Sequence, residues 1–303
     1  MIRFQRTIQN NISCEGIGLH SGRRVKITLM PAPVGTGVVF IRTDLGNVTI
    51  GAVAANTATT SYATALSRNN ASVKTVEHLL AAFAGLNIDN VFVEIDADEV
   101  PIMDGSARPF VKLIADAGIQ TQETLQPVLK VIKPVFVREG NKQLAIWPSE
   151  STNISCFIDF NHPLLKKQSL QYQPTEEAFL REVSDARTFG FLRDVETLQA
   201  NGLAKGASLD NAVALGEDSV LNKDGLRYRD EFVRHKILDL IGDLSLLGMP
   251  VIGHIVAHKS GHGLNAQMVA KLLNSPQNWI LVGPSHEEAE VKQHDMQFQH
   301  AAL

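Results

Sequence analysis

Two cysteines, Cys14 and Cys156, are all the thiol in this 303-residue chain, which excludes a disulfide scaffold and any cysteine-rich zinc module. Lysine and arginine number 28 against 32 aspartates and glutamates, and no basic cluster of five or more occurs. A nucleic-acid partner, which binds through phosphate neutralisation, is therefore not expected. Long apolar runs are also missing. LLAAFAGL at 79–86 is far short of the ~20 residues that span a bilayer, and MIRFQRTIQNN has no apolar signal region. These absences leave a soluble, cytoplasmic protein without a stable membrane anchor as the expectation. Because histidines number ten, any transition-metal site would be built from imidazole and carboxylate.

A chain of this length lies near the size at which one core splits into two. From residue 2 to 53 it reads as short strands, among them RVKITL and VVFIRT, with turn residues between them. A helix is expected at 73–86, with Ser72 or Thr75 as cap, then strand VFVEID at 91–96, loop PIMDGSARP and a second helix ending at Gly118. The polar TQETLQP at 121–127 reads as a linker, after which the grammar repeats. VEHLLAAFAGLNIDNVFVEI and VRHKILDLIGDLSLLGMPVIGHIVAH share a histidine at a helix start, a glycine exit and a following strand, a weak internal repeat. The expected fold is α+β. It has two topologically similar domains, 1–122 and 127–282, each a small, mostly antiparallel sheet on two helices, forming a layered sandwich with the site between them. A polar tail follows at 283–303. Four N-x-[ST] matches, at Asn11, Asn47, Asn70 and Asn153, read as turn chemistry.

The sharpest local feature is HKILDLIGD, which puts His235, Asp239 and Asp243 at i, i+4 and i+8 on one helical face. An imidazole and a carboxylate so placed can share a metal ion, although an exposed acidic stripe has the same spacing. In the first half Glu77 and His78 are adjacent and diverge by about 100° around a helix. If His78 binds a metal, Glu77 flanks it and can accept a proton from water. Among the histidines of HIVAHKSGHG, His254 and His258 read as structural strand residues. His262, between two glycines, reads as an exposed loop residue suited to general acid work. GIGLHSG has the wrong glycine spacing for a dinucleotide loop, and neither G-x-S-x-G nor a P-loop occurs.

At these residues the sequence closely resembles the UDP-3-O-acyl-N-acetylglucosamine deacetylases, the zinc amidases of lipid A biosynthesis in Gram-negative bacteria. The resemblance lies in TIQNNISCEGIGLHSG, TVEHLLAAFAGLNIDNVFVEID, PIMDGSARPF, DARTFGF, LNKDGLRYRDEFVRHKILDLIGDLSLLG and HKSGHGLN, nearly the whole chain except the tail. It implies zinc, with iron as the alternative metal in the cell, held by His78, His235 and Asp239. It further implies Glu77 as general base, Thr188 as oxyanion donor, and His262 as a cation kept protonated by Asp243. Lys236 joins this catalytic group and, with Lys142, Lys259 and His20, faces the nucleotide diphosphate, while Phe160 stacks on uracil. Phe189, Leu192 and Val195, in TFGFLRDVETL, would line the passage for the acyl chain. Leu209 replaces an aromatic common in the family, and SYATA at 61–65 lacks a frequent cysteine. The partner implied is an acylated UDP-sugar, met by a monomer. A zinc amidase for another acetylated sugar and a non-catalytic sugar-nucleotide binding protein are the competing readings.

Overall fold

The computed structural model describes residues 3–58 and 61–283. Two five-stranded sheets dominate it. In the first, strands Ile12–Ile17, Arg24–Pro31, Val91–Ile95, Val38–Arg42 and Val48–Gly51 lie side by side in that order. In the second the order is Val135–Glu139, Lys142–Trp147, His254–His258, Asn153–Ile158 and Gln168–Tyr172. Each sheet is two hairpins flanking a central strand that runs antiparallel to one hairpin and parallel to the other. Alternation explains the strands: Val25, Ile27 and Leu29 are buried while Arg24 and Lys26 face out.

The helices repeat as well. Helices α1 (Glu77–Gly85) and α2 (Arg108–Ala117) bracket the central strand of the first sheet. After α3 (Leu192–Ala200), which belongs to an insert, helices α4 (Glu231–Leu244) and α5 (His262–Leu273) bracket that of the second. The weak sequence repeat is thus a full topological repeat. α4 outruns α1 by one to two turns, 14 residues against 9. The two helices pack on each other, and one continuous apolar core draws residues from both halves. Packing is closest at Gly242 of α4, where a Cβ would overlap the carbonyl oxygen of Glu77 and lie 2.9 Å from its carbon.

Several local expectations shift. The helix expected from 73 starts at Glu77, because Ala71–Lys74 pairs with Ala65–Arg68 as a hairpin and Thr75 takes φ 56°; neither Ser72 nor Thr75 caps it. The run taken for a linker is mostly strand Ile119–Leu125, paired antiparallel with Phe4–Ile8, which shortens the connection to Gln126–Pro127. His262 is no loop residue; it opens α5, whose Leu264, Met268, Val269 and Leu272 are buried. Asn47 and Asn70 do make left-handed turns, with φ of 66° and 62°. The polar tail after Gly283 lies outside the described residues.

The α1–α4 contact leaves no room for a side chain. Gly242→Ala is expected to cost about 1–3 kcal/mol by overpacking, read as a lower denaturation midpoint. Gly190→Ala, with nothing within 4 Å of the added Cβ, serves as the neutral control.

Candidate metal centre

Helical spacing and the α1–α4 contact gather three buried side chains. Asp239 Oδ1 lies 3.2 Å from His235 Nε2 and 3.6 Å from His78 Nε2, with the two imidazoles edge to face at 4.9 Å between centroids. One ligand atom from each lies within 4.8 Å of the others. His235 Nδ1 meets the Ala186 carbonyl at 3.0 Å, which fixes the proton there and leaves Nε2 as the lone-pair nitrogen. Asp239 Oδ1 is fully buried yet has no hydrogen-bond partner. An orphaned carboxylate oxygen facing two imidazoles fits a cation.

Electrostatics agree with that use. Burial lowers the pKa of His235, against the pull of Asp239, and favours the neutral ring that a metal needs. Burial would neutralise Asp239, but His235 and the Lys236 ammonium, 2.5 Å from Oδ2, hold its pKa well below the usual carboxylate range.

Glu77 and His262 flank the cluster, with Glu77 Oε1 3.8 Å from His262 Nε2. Burial raises Glu77 to about 7, aided by Asp243 and Asp239 and opposed by His262. The Thr64 amide donates to its Oε2 at 3.1 Å. His262 behaves oppositely. Burial would lower its pKa, but the charge of Asp243 and a 2.8 Å hydrogen bond from Nδ1 to Asp243 Oδ2 override it, raising His262 to about 10. The Thr64 hydroxyl and the Asn265 amide also donate to Asp243, at 2.5 and 2.8 Å. Thr64 is brought here by long-range packing alone, whereas Asn265 stands one helical turn after His262 and meets the same Asp243 oxygen.

The DARTFGF segment folds over this cluster because Arg187 is clamped. Its guanidinium reaches Glu231, at the start of α4 and fully buried, at 2.8 and 3.1 Å, and its backbone amide donates to the same carboxylate. Thr188 is thereby held next to Ala186, with its amide donating to Gly105 O and its carbonyl accepting from Val213 N, both at 2.8 Å. Phe189 stands 6.3 Å from the His235 ring and packs edge to face on Phe160 (5.7 Å) and Phe232 (5.0 Å). The insert is a parallel strand pair joined through α3, which buries none of its residues: Leu192 is 53% exposed and Val195 half-buried.

The remaining residues divide into two groups. Lys259 pairs with Asp159 at 2.9 Å and lies with Phe160 and the exposed Lys142 at one end of the second sheet, where Gln143 pairs with His258. His20 sits apart, on a loop of the first half that meets the insert: its Nδ1 accepts from Ala204 N at 3.4 Å, leaving Nε2 buried and unpartnered. His254 and His258 are structural, bonded to Ser155 and to Asn141 O. Both cysteines are free, and burial pushes Cys14 and Cys156 up to about 11 and 12, which makes them poor nucleophiles.

The model of the family described as LpxC, UDP-3-O-acyl N-acetylglycosamine deacetylase, matches residues 5–274. The chain belongs to the LpxC family. Among its relatives named UDP-3-O-acyl-N-acetylglucosamine deacetylase, that of Myxococcus xanthus is 53% identical over 94% of this chain and 91% of its own length. That of Syntrophus aciditrophicus is 49% identical over 91% and 88%, and that of Pseudomonas entomophila 50% over 93% and 94%. Membership in the LpxC family agrees with the mixed α+β sandwich and the His–His–Asp cluster. Among the described residues no helix is long and apolar enough to cross a membrane.

Since the folded pKa of His262 lies above its ordinary 6.5, its protonated form stabilises the fold fully below that pH, and the contribution fades as pH rises through about 10. Asp243→Asn removes the charge responsible. The His262 imidazole should then titrate well below 10 by NMR, and the alkaline stability margin should retreat with it.

Proposed function

We propose that this LpxC-family chain hydrolyses the N-acetyl group of a UDP-3-O-(3-hydroxyacyl)-N-acetylglucosamine, releasing acetate and the free amine, with zinc held by His78, His235 and Asp239. The observation that carries this reading is a carboxylate and a cationic imidazole, Glu77 and His262, 3.8 Å apart beside a buried three-ligand cluster. A sugar-nucleotide binding module has no use for that pair. When bound, a zinc ion there would polarise the amide carbonyl and acidify water.

Glu77, with a pKa of about 7, takes the proton from the attacking water at neutral pH. The Thr188 hydroxyl donates to the developing oxyanion. His262, held cationic by Asp243, stabilises negative charge and then gives its Nε2 proton to the departing amine nitrogen, so the two groups start in opposite protonation states. Lys236 keeps Asp239 ionised and offers positive charge to the diphosphate, together with Lys142, Lys259 and the His20 Nε2 donor. Phe160 stacks on uracil. The acyl chain runs along Phe189, Leu192 and Val195, which accounts for apolar side chains left uncovered on α3. The site thus lies between two domains, 1–122 and 127–282, of a cytoplasmic monomer.

Two measurements test this. Glu77→Ala should keep about one metal per chain while losing roughly 10²–10⁴ in turnover, whereas His235→Ala should lose metal; equal metal loss in both would remove Glu77 from the base role. Acetate release should be chelator-sensitive and should favour the acylated sugar nucleotide. Equal rates on the unacylated form would support the broader amidase instead.

A further inference from the structure

Glu99 is 1% exposed and lies outside every role assigned above. Its carboxylate collects donors from two separate segments. Oε1 accepts the His20 amide at 2.8 Å and the Thr75 hydroxyl at 2.9 Å, and Oε2 accepts the Ser21 amide at 2.7 Å. The His20 loop presses so closely that a Cβ on Gly18 would overlap Oε2 and come within 2.8 Å of Cδ. On the other side, Lys74 is bridged in parallel to Glu99 through bonds from Lys74 N to Asp98 O (2.9 Å) and from Val100 N to Lys74 O (3.0 Å).

Thr75 gives this contact its consequence. It is β-branched, buried, and held at φ 56° two residues before Glu77 and three before His78. A β-branched residue at positive φ is a genuine outlier that persists only when its surroundings over-determine it. The kink turns the chain from hairpin into α1, so it sets the direction from which Glu77 and His78 enter the site. Val76 N to Thr64 O, at 3.3 Å, is the next backbone restraint.

We propose that Glu99 is a positioning residue that orients two parts of the site at once: the start of α1, through the strained Thr75, and the substrate-facing His20 loop, through two backbone amides. This rests on the roles proposed above for His78 and His20. The two arms are separable. Glu99→Gln preserves volume but always turns an NH₂ toward one of the two loop amides, while the Thr75 hydroxyl can reverse and accept. Glu99→Ala removes all three acceptors. Glycine at 75 adopts positive φ without help, so Thr75→Gly should make the α1 arm independent of Glu99.

The test measures zinc affinity by chelator competition, alongside kcat and KM for the acylated UDP-sugar. Glu99→Gln is expected to raise KM about tenfold with near-normal zinc affinity. Glu99→Ala is expected also to weaken zinc binding about tenfold, the scale of an outer-shell loss. In the double variant Glu99→Ala/Thr75→Gly, zinc affinity should return to within about threefold of the parent while KM stays raised. Unchanged KM in Glu99→Gln overturns the loop arm. Failure of Thr75→Gly to recover zinc affinity overturns the α1 arm, because the loss then reflects general loosening. His235→Ala, run beside them, must lose zinc; if it does not, the ligand assignment has failed and not the role of Glu99.

Discussion

Everything at the site depends on two helices coming closer than side chains normally allow. Gly242 lets α4 lie against the Glu77 carbonyl, and that contact brings His78, contributed by one half, within 3.6 Å of Asp239, contributed by the other. Neither half holds the whole cluster. The apolar core that spans both halves is therefore also the scaffold of the cluster, and the two cannot be loosened separately.

Burying so many charges would be ruinous if they were unpaired. Asp239 and Asp243 each meet a cation: the Lys236 ammonium for the first, and His262, with the Thr64 hydroxyl and the Asn265 amide as further donors, for the second. Glu231 and Arg187 satisfy one another at the edge of the cluster and aim the Ala186 carbonyl at His235. Asp239 Oδ1 stays without a hydrogen-bond partner, as do His78 Nδ1 and Asn265 Oδ1, and it lies where a cation would complete the set. The high pKa of His262 and the near-neutral one of Glu77 share one cause, the charge of Asp243 and Asp239, while burial opposes the first rise and leads the second.

Much of this was legible in the chain, for reasons that differ by residue. His235, Asp239 and Asp243 announce themselves because helical period alone puts them on one face, and the repeat of helix then strand forecast two like halves. His78 and Glu77 carry no such spacing signal; the internal repeat singles out the histidine, and only the family resemblance gives the pair its roles. His262 was misplaced in a loop because Gly261 and Gly263 dominate their neighbourhood, although Leu264, Met268, Val269 and Leu272 carry a helical period just beyond. The left-handed Thr75 was illegible, because nothing in the local sequence asks a β-branched residue to adopt that conformation. The exposure of Leu192 is equally illegible, because an apolar side chain carries no local sign that its helix will be left uncovered.

The matched strand orders of the two sheets bear on how such a site can arise. Were the two halves separate, identical chains related by a twofold axis, each would present the same helix to the other, and polar groups would appear in equal pairs. Joined in one polypeptide, the copies are free to diverge at equivalent positions. One gives a single imidazole and a carboxylate, the other an imidazole, two carboxylates and, at the start of its next helix, a second imidazole. Covalent linkage thus releases the pair from symmetry, and a reaction that takes a proton on one side and returns it on the other requires an asymmetric pocket.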